Sequence, residues 1–427
     1  MNSTDFNQKY KIGINLQSKI KFIGSEHQHS SSNIAGKPKK MLVEIIKRFF
    51  KNPYVTFAFI CFVTLMLCAI IIPLTTPYKA MTQINNIDKM YTTMLPPIFS
   101  PMVEKTEIFQ NSPKIDKFYE IKQFVEEHPD LQIYFANFLN TTRFGEFNAA
   151  TGTISMQYDA YALFDAVILH NAMAQKITED ANFVFTQAWV NDIKIQNPVN
   201  TLLGTDINAQ DIWTNAWTGT AESIKIAIIT ASLQTLIGVA IGAYLGFHVG
   251  KWIDTVFMRL IEIFLAPPTL IWLLLFVSVM GVSNTALIIS LVITGWAWPV
   301  SSTRMFIITV KDEEYITAAK SIGASTSRQI FVHALPAILG KIATAFVRRI
   351  PSIILSIASL AFLGFYKDGN SANLGKLLLE ATPQAPENYW ILLLPSIILL
   401  TLSLSLQFIA IGVHDALDPK VISSSKK

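Results

Sequence analysis

Few side chains in this sequence are spaced for covalent or metal chemistry. Both cysteines, Cys61 and Cys68, fall inside one apolar run and offer neither a disulfide framework nor metal-ligand spacing. The histidines are scattered; only His27 and His29 stand close together, and nothing here predicts a metal site. His170 lies on an apolar stretch and reads as packed rather than catalytic. No G-x-x-x-x-G-K-S/T phosphate loop occurs, so the chain itself is expected to bind no cofactor, to hydrolyse no ATP and to be no enzyme. A net charge of +4 is too small to argue for nucleic acid. The stretch patterned for work is Glu313–Pro336, and its chemistry is recognition. Tyr315, Ala318, Ala319 and Ile322 fall at i, i+3, i+4 and i+7, one apolar face of a short helix. Gly323 supplies a left-handed stop, Ser325 or Thr326 a cap for a second helix through Phe331, and Leu335-Pro336 a stop or a fresh start.

What must position that stretch is a set of membrane spans. Half the residues are apolar (51%), only 15% are charged, and mean hydropathy is positive, unlike a soluble domain of this length. Apolar runs predict spans at Tyr54–Pro73, Ile224–Val249, Val256–Met280, Ala286–Ile308, Ala337–Phe365 and Tyr389–Val413. The first reads as an anchor, too long and too late to be a cleaved signal peptide. Gly238, Gly242, Gly246 and Gly250 recur every fourth residue, a stripe on which another helix can pack closely. Pro267-Pro268 predicts a kink, either structural or a moving gate. Arg304 reads by default as snorkelling to headgroups, or else as a contact of the 312–336 loop. Arg348 and Arg349 interrupt the fifth run; either that helix starts at the cytoplasmic boundary or they face a hydrated path.

The predicted organisation is a cytoplasmic basic tail over 1–51, largely disordered, and a first span over 52–74. An extracellular insert over 75–220 follows, then a core over 221–415 with the loop at 312–336, and a cytoplasmic tail over 416–427. The cluster Lys37, Lys39, Lys40, Lys47, Arg48 and Lys51 serves topology or binds anionic membrane lipid. Within the insert, Ile121–Leu139 and Tyr161–Ile177 carry mixed helical periodicity and Thr151–Tyr158 reads as a strand. Residues Lys367–Asn388 read as a loop. The fold class is therefore an all-α polytopic membrane protein of six transmembrane helices with both termini in the cytoplasm.

Ala318-Ala319, Gly323 and Leu335-Pro336 resemble the EAA loop of binding-protein-dependent ABC importer permeases, with Thr317 in place of the name-giving Glu and His333 in place of Ile. Leu203-Gly204-Thr205-Asp206 with Asp211 is similar to the LGTD…GRD signature of oligopeptide/dipeptide-type permeases, Ala209-Gln210 replacing Gly-Arg. Phe362-Leu363-Gly364 and Asp415-Ala416-Leu417-Asp418-Pro419 match the C-type subunit. The resemblance covers Lys47–Ile72 and Asn200–Lys420. It implies a type I ABC importer-like permease in a bacterial cell membrane, forming half of an oligopeptide pathway. It also implies a second permease subunit, two ATPase subunits that use ATP, and an extracellular substrate-binding lipoprotein. An ion-coupled secondary transporter and a membrane-tethered receptor remain as alternatives. The scarcity of Asp and Glu in the spans argues against the first, and a receptor has no need of the loop.

Overall fold

The architecture is that of a computed structural model, which describes residues 41–85, 89–109, 112–281, 283–364 and 372–417. The chain begins with α1 (Met41–Phe49) and α2 (Pro53–Thr75). Asn52 caps α2 by accepting from the Tyr54 N–H, and Pro53 costs nothing there because a first-turn donor has no intrahelical partner. The expected disordered tail is thus corrected over its last turns: Glu44 pairs with Arg48 at 3.2 Å within an amphipathic α1 that packs on the last helix. Lys37, Lys39 and Lys40 lie outside the described residues.

Within a mostly helical chain the insert is a mixed α/β unit, and the expected strand at Thr151–Tyr158 is found over Thr153–Asp159. Strands β1 (Met102–Ile108), β2 (Arg143–Phe144) and β3 (Thr153–Asp159) form an antiparallel sheet of order β1-β3-β2. Helices α3 (Pro113–Glu127), α4 (Gln132–Thr141), α5 (Ala160–Glu179) and α6 (Gln187–Gln196) surround it. Its core has aromatic and sulfur-bearing side chains, among them Phe135, Phe138, Phe164, Met156 and Met173. His170 is buried there edge-on to Phe124; burial and the neighbouring Lys117 hold its pKa below the ordinary value.

The second span, α7 (Ile212–Phe247), starts a dozen residues before the expected Ile224, because Asp211 caps it through the Thr214 N–H at 2.8 Å. Next come α8 (Trp252–Leu265) and α9 (Thr269–Met280), which meet at 80°. The proline pair explains the break. Pro268 has no N–H for the Phe264 carbonyl, and the Trp272 indole fills that acceptor instead at 2.8 Å. α10 (Asn284–Gly295) and α11 (Ala297–Ile308) meet at 42°.

Beyond α11 lies α12 (Glu314–Ser321), then a short run Thr326–Arg328 and a π-helical stretch Gln329–Ala334 that lead into α13 (Leu335–Phe362). Helix α14 (Leu374–Ala381) replaces the expected loop and packs on α13, α7 and α15 (Trp390–Leu417). Among the described residues, four helices are long and apolar enough to cross a membrane, or up to six if each bent pair is one span.

Candidate functional site

The 312–336 loop is built against the foot of the bundle. Ile316 of α12 joins Ile330, Ala334 and Ile338 in one buried cluster with Ala243 of α7 and Ile307 of α11, and Ala319 is buried as well. The expected apolar face is divided. Of Tyr315, Ala318, Ala319 and Ile322, only Ala319 is buried; Tyr315 is 44% and Ile322 88% exposed, and Ala318 is exposed too. A helix of eight residues has one side on the bundle and one side off it, and the bulkier apolar pair sits on the second. Gly323 has φ +87°, the left-handed conformation a β-branched residue strains to adopt. Ser325 then caps the next run by accepting from the Arg328 N–H at 3.4 Å. Leu335 is half-buried and Pro336 exposed in the first turn of α13, where the missing N–H is tolerated.

Above this foot, α7 lies along α11 on glycine. A Cβ on Gly238 would stand 2.3 Å from the Pro299 Cβ, on Gly242 2.4 Å from the Val300 carbonyl oxygen, and on Gly246 2.7 Å from Ile307 Cγ2. Real atoms do not approach that closely, so the contact requires these three glycines. Gly250 does not belong to the stripe. It lies past the end of α7 at φ +80° with nothing within 4 Å, a turn residue whose spacing coincides with the packing period.

Arg348 and Arg349 part company. Arg348 is exposed, whereas Arg349 is half-buried and reaches into the α10–α11 break. Pro299 lacks the N–H that would have met the Gly295 carbonyl one turn earlier. Arg349 Nη2 donates to that carbonyl at 3.2 Å, and its Nε to Gln234 Oε1 at 3.0 Å. Gln234, 1% exposed, in turn donates to the Leu291 carbonyl at 2.6 Å. Sequence reasoning missed Gln234 and Gly295, although a proline four residues after a glycine signals an orphaned carbonyl. Arg349 also borders a cavity of about 180 Å³ with Thr235, Trp298, Ser302 and Phe346. Arg304 corrects the snorkelling expectation by pairing with Asp254 of α8, which is 3% exposed.

The 203–211 signature lies at the junction where the insert meets the bundle. Gly204 has φ +86°, and a Cβ there would fall 2.0 Å from the Leu95 carbonyl oxygen. Thr205 Oγ1 donates to the Thr92 carbonyl at 2.6 Å and accepts from the Leu95 N–H at 2.9 Å. Ala209, standing where the signature has Gly, adopts φ +57°. Asp206 accepts from the Asn208 and Gln210 N–H groups, both at 2.8 Å. Gly364, at φ +76°, ends the α13 run; the Phe362 side chain and residues 418–419 lie outside the described set.

Residues 238–423 match the family described as binding-protein-dependent transport system inner membrane component. Residues 40–97 match the N-terminal TM domain of oligopeptide transport permease C. The oligopeptide transport system permease protein OppC of Mycoplasma pneumoniae is 30% identical over 398 residues, 92% of this chain and 94% of the relative. The chain belongs to the oligopeptide/dipeptide ABC permease family. OppC of Mycoplasma genitalium is 29% identical over 399 residues, again 92% of this chain and 94% of the relative. The dipeptide transport system permease protein DppC of Bacillus subtilis is 30% identical over 219 residues, 51% of this chain and 68% of the relative. A coverage of 92% cannot be reached without the insert, so this permease shares its insert with the mycoplasma relatives. Family membership and several long apolar helices make it an integral inner-membrane protein.

Proposed function

We propose that this permease forms half of the translocation pathway of an ABC importer for oligopeptides. A second permease supplies the other half, two separate ATPase subunits bind and hydrolyse ATP, and an extracellular lipoprotein delivers the substrate to the insert side. Both termini and the 312–336 loop then lie in the cytoplasm. The observation that carries the reading is the division of α12: Ile316 anchors it to the bundle, while Tyr315 and, at its C-cap, Ile322 are left open. That exposed pair on a short helix suits a groove in an ATPase. Movement of the ATPases would reach the bundle through the anchored face, because the buried cluster joins α12 to α7, α11 and α13.

Gly323→Val tests this coupling. Nothing lies within 4 Å of where its Cβ would be, so the substitution acts through backbone strain and not through a clash. The strain is on the order of 1–2 kcal/mol, enough to redirect a short helix but not to unfold the bundle. The variant should reach the membrane in normal amounts, while ATPase subunits co-purify weakly or bind without stimulation. Ser321→Ala should match the unaltered protein. Full ATPase association together with full transport in Gly323→Val would reject the coupling role.

A further inference from the structure

Strand β1 is an edge strand, since in the order β1-β3-β2 it pairs with β3 alone. The ladder fixes which of its backbone groups are used. The Ala160 N–H donates to the Pro101 carbonyl and the Phe109 N–H to the Gly152 carbonyl, each at 3.0 Å. Hydrogen-bonded pairs alternate along an antiparallel ladder. With Met102 opposite Asp159 and Ile108 opposite Thr153, the residues Val103, Lys105 and Glu107 therefore face β3. Met102, Glu104, Thr106 and Ile108 turn their N–H and C=O groups the other way. Among the described residues, no backbone hydrogen bond is made to that side.

A cavity of about 600 Å³ runs along this open edge. One wall is the consecutive run Met102 to Thr106, and the other includes Pro386 to Tyr389, just before α15. Neighbouring residues of a strand point to opposite faces, so a wall made by successive residues follows the edge and neither face. Lys105 and Glu387 span the two walls with an ion pair of 2.7 Å, one charge of each sign.

We infer that this edge binds an extended oligopeptide as an added strand, at the junction of the insert with the bundle. The inference rests on the peptide-transport reading and places a docking position for the cargo outside the spans. Main-chain hydrogen bonds carry no side-chain preference, which suits a transporter of chains of varied sequence. The paired charges of Lys105 and Glu387 complement a zwitterionic chain. The groove ends at the start of α15, so a peptide bound there lies beside the bundle end that the insert covers. The Met102–Thr106 wall is long enough for about five residues at ~3.4 Å each.

The test uses the full chain in detergent and a fluorescein-labelled pentapeptide of alternating valine and threonine, followed by anisotropy. A second peptide carries N-methyl groups on alternate backbone nitrogens. The unmodified peptide should bind and the methylated one should bind at least about tenfold more weakly, the scale of one or two lost hydrogen bonds. Thr106→Pro should weaken binding similarly, because it removes an outward N–H and leaves the β3 ladder whole. Thr106→Ala should bind as before. If Thr106→Pro does not fold, the two peptides on the unaltered chain still decide. Equal binding of both peptides, no binding of either, or indifference to a folded Thr106→Pro would overturn the site. ATPase capture on the same preparation separates the two readings: normal capture without peptide binding rejects the edge site alone, whereas loss of capture rejects the permease reading.

Discussion

Arg304 closes a two-pronged ion pair on Asp254, with Nε 2.6 Å from Oδ1 and Nη2 2.7 Å from Oδ2. The pair ties α8 to α11 across fifty residues of sequence, and Asp254 also accepts from the Gly250 N–H at 3.2 Å. The turn after α7 and the crossing of α8 are thus held by one carboxylate.

Asp254→Ala should therefore cost more than an exposed ion pair is worth. It strands a half-buried guanidinium and frees the Gly250 N–H, and a loss of about 2 kcal/mol is expected. Thermal unfolding of the detergent-solubilised protein measures it. Asp254→Ala with Arg304→Met should recover part of the loss, since the uncompensated charge is then gone. A double variant as unstable as the sum of the singles would show that the two side chains do not act together.

The glycines of α7 should divide into two classes. Gly242→Leu drives a side chain into the Val300 carbonyl and Thr303, and overpacking of this kind costs about 1–3 kcal/mol or more. Gly250→Ala meets open space and suffers only the left-handed strain, about 1 kcal/mol. A cysteine crosslink between α7 and α11 should fail in the first variant and form in the second. Equal melting temperatures for the two would remove the distinction drawn between stripe and turn.

The elements legible in the sequence are those whose cause is local. Apolar length marked α2, α7 and α15; Pro267-Pro268 marked the α8–α9 break; Gly323 marked the end of the α12 run. The elements missed depend on distant partners. The first turns of α7 carry Asn215, Glu222 and Lys225, polar enough to read as loop, yet Asn215 finds the Met81 N–H at 2.7 Å and the helix continues. α14 is short and read as loop around its charges, but its Lys376 is buried against the bundle beside Glu380. β1 alternates weakly because it is an edge with a charged exterior, whereas β3, paired on both sides, shows its pattern. Arg349 was visible as an anomaly, but its acceptor on Gly295 exists only because Pro299 breaks a different helix.

Asp206 gives this junction a pH dependence. Burial pushes its carboxyl up to about 6 from an ordinary 3.8, against the two backbone N–H groups that favour the anion. The native state then holds the proton more tightly than the unfolded chain. This contribution to stability is fully present below pH 3.8 and is lost as pH rises through about 6. Asp206→Asn keeps an oxygen for the Asn208 and Gln210 N–H groups and removes the titration. The stability of the variant relative to the unaltered protein should rise as pH increases between those two values. Hydrogen exchange of the 203–211 backbone, followed across that range, reads the difference. Parallel pH profiles would mean that Asp206 titrates alike in both states.

Arg349 should prove irreplaceable by lysine. Its Nε serves Gln234 and its Nη2 serves the Gly295 carbonyl, two acceptors on different helices that a planar fork reaches together. A lysine ammonium on a flexible stem can hold one acceptor well, so Arg349→Lys should lose about 1 kcal/mol through the other. Arg349→Met should lose more, because Gln234 Oε1 and the carbonyl freed by Pro299 both remain buried without a donor. Pro299→Ala restores the helical N–H for Gly295, and placed in the Arg349→Met background it should recover stability even while it stabilises the unaltered protein little. That asymmetry separates a guanidinium that patches a proline break from one that merely fills space. Melting temperatures of the four proteins in one detergent supply the cycle, and strictly additive effects of the two substitutions would sink the assignment of Arg349 to the Pro299 acceptor.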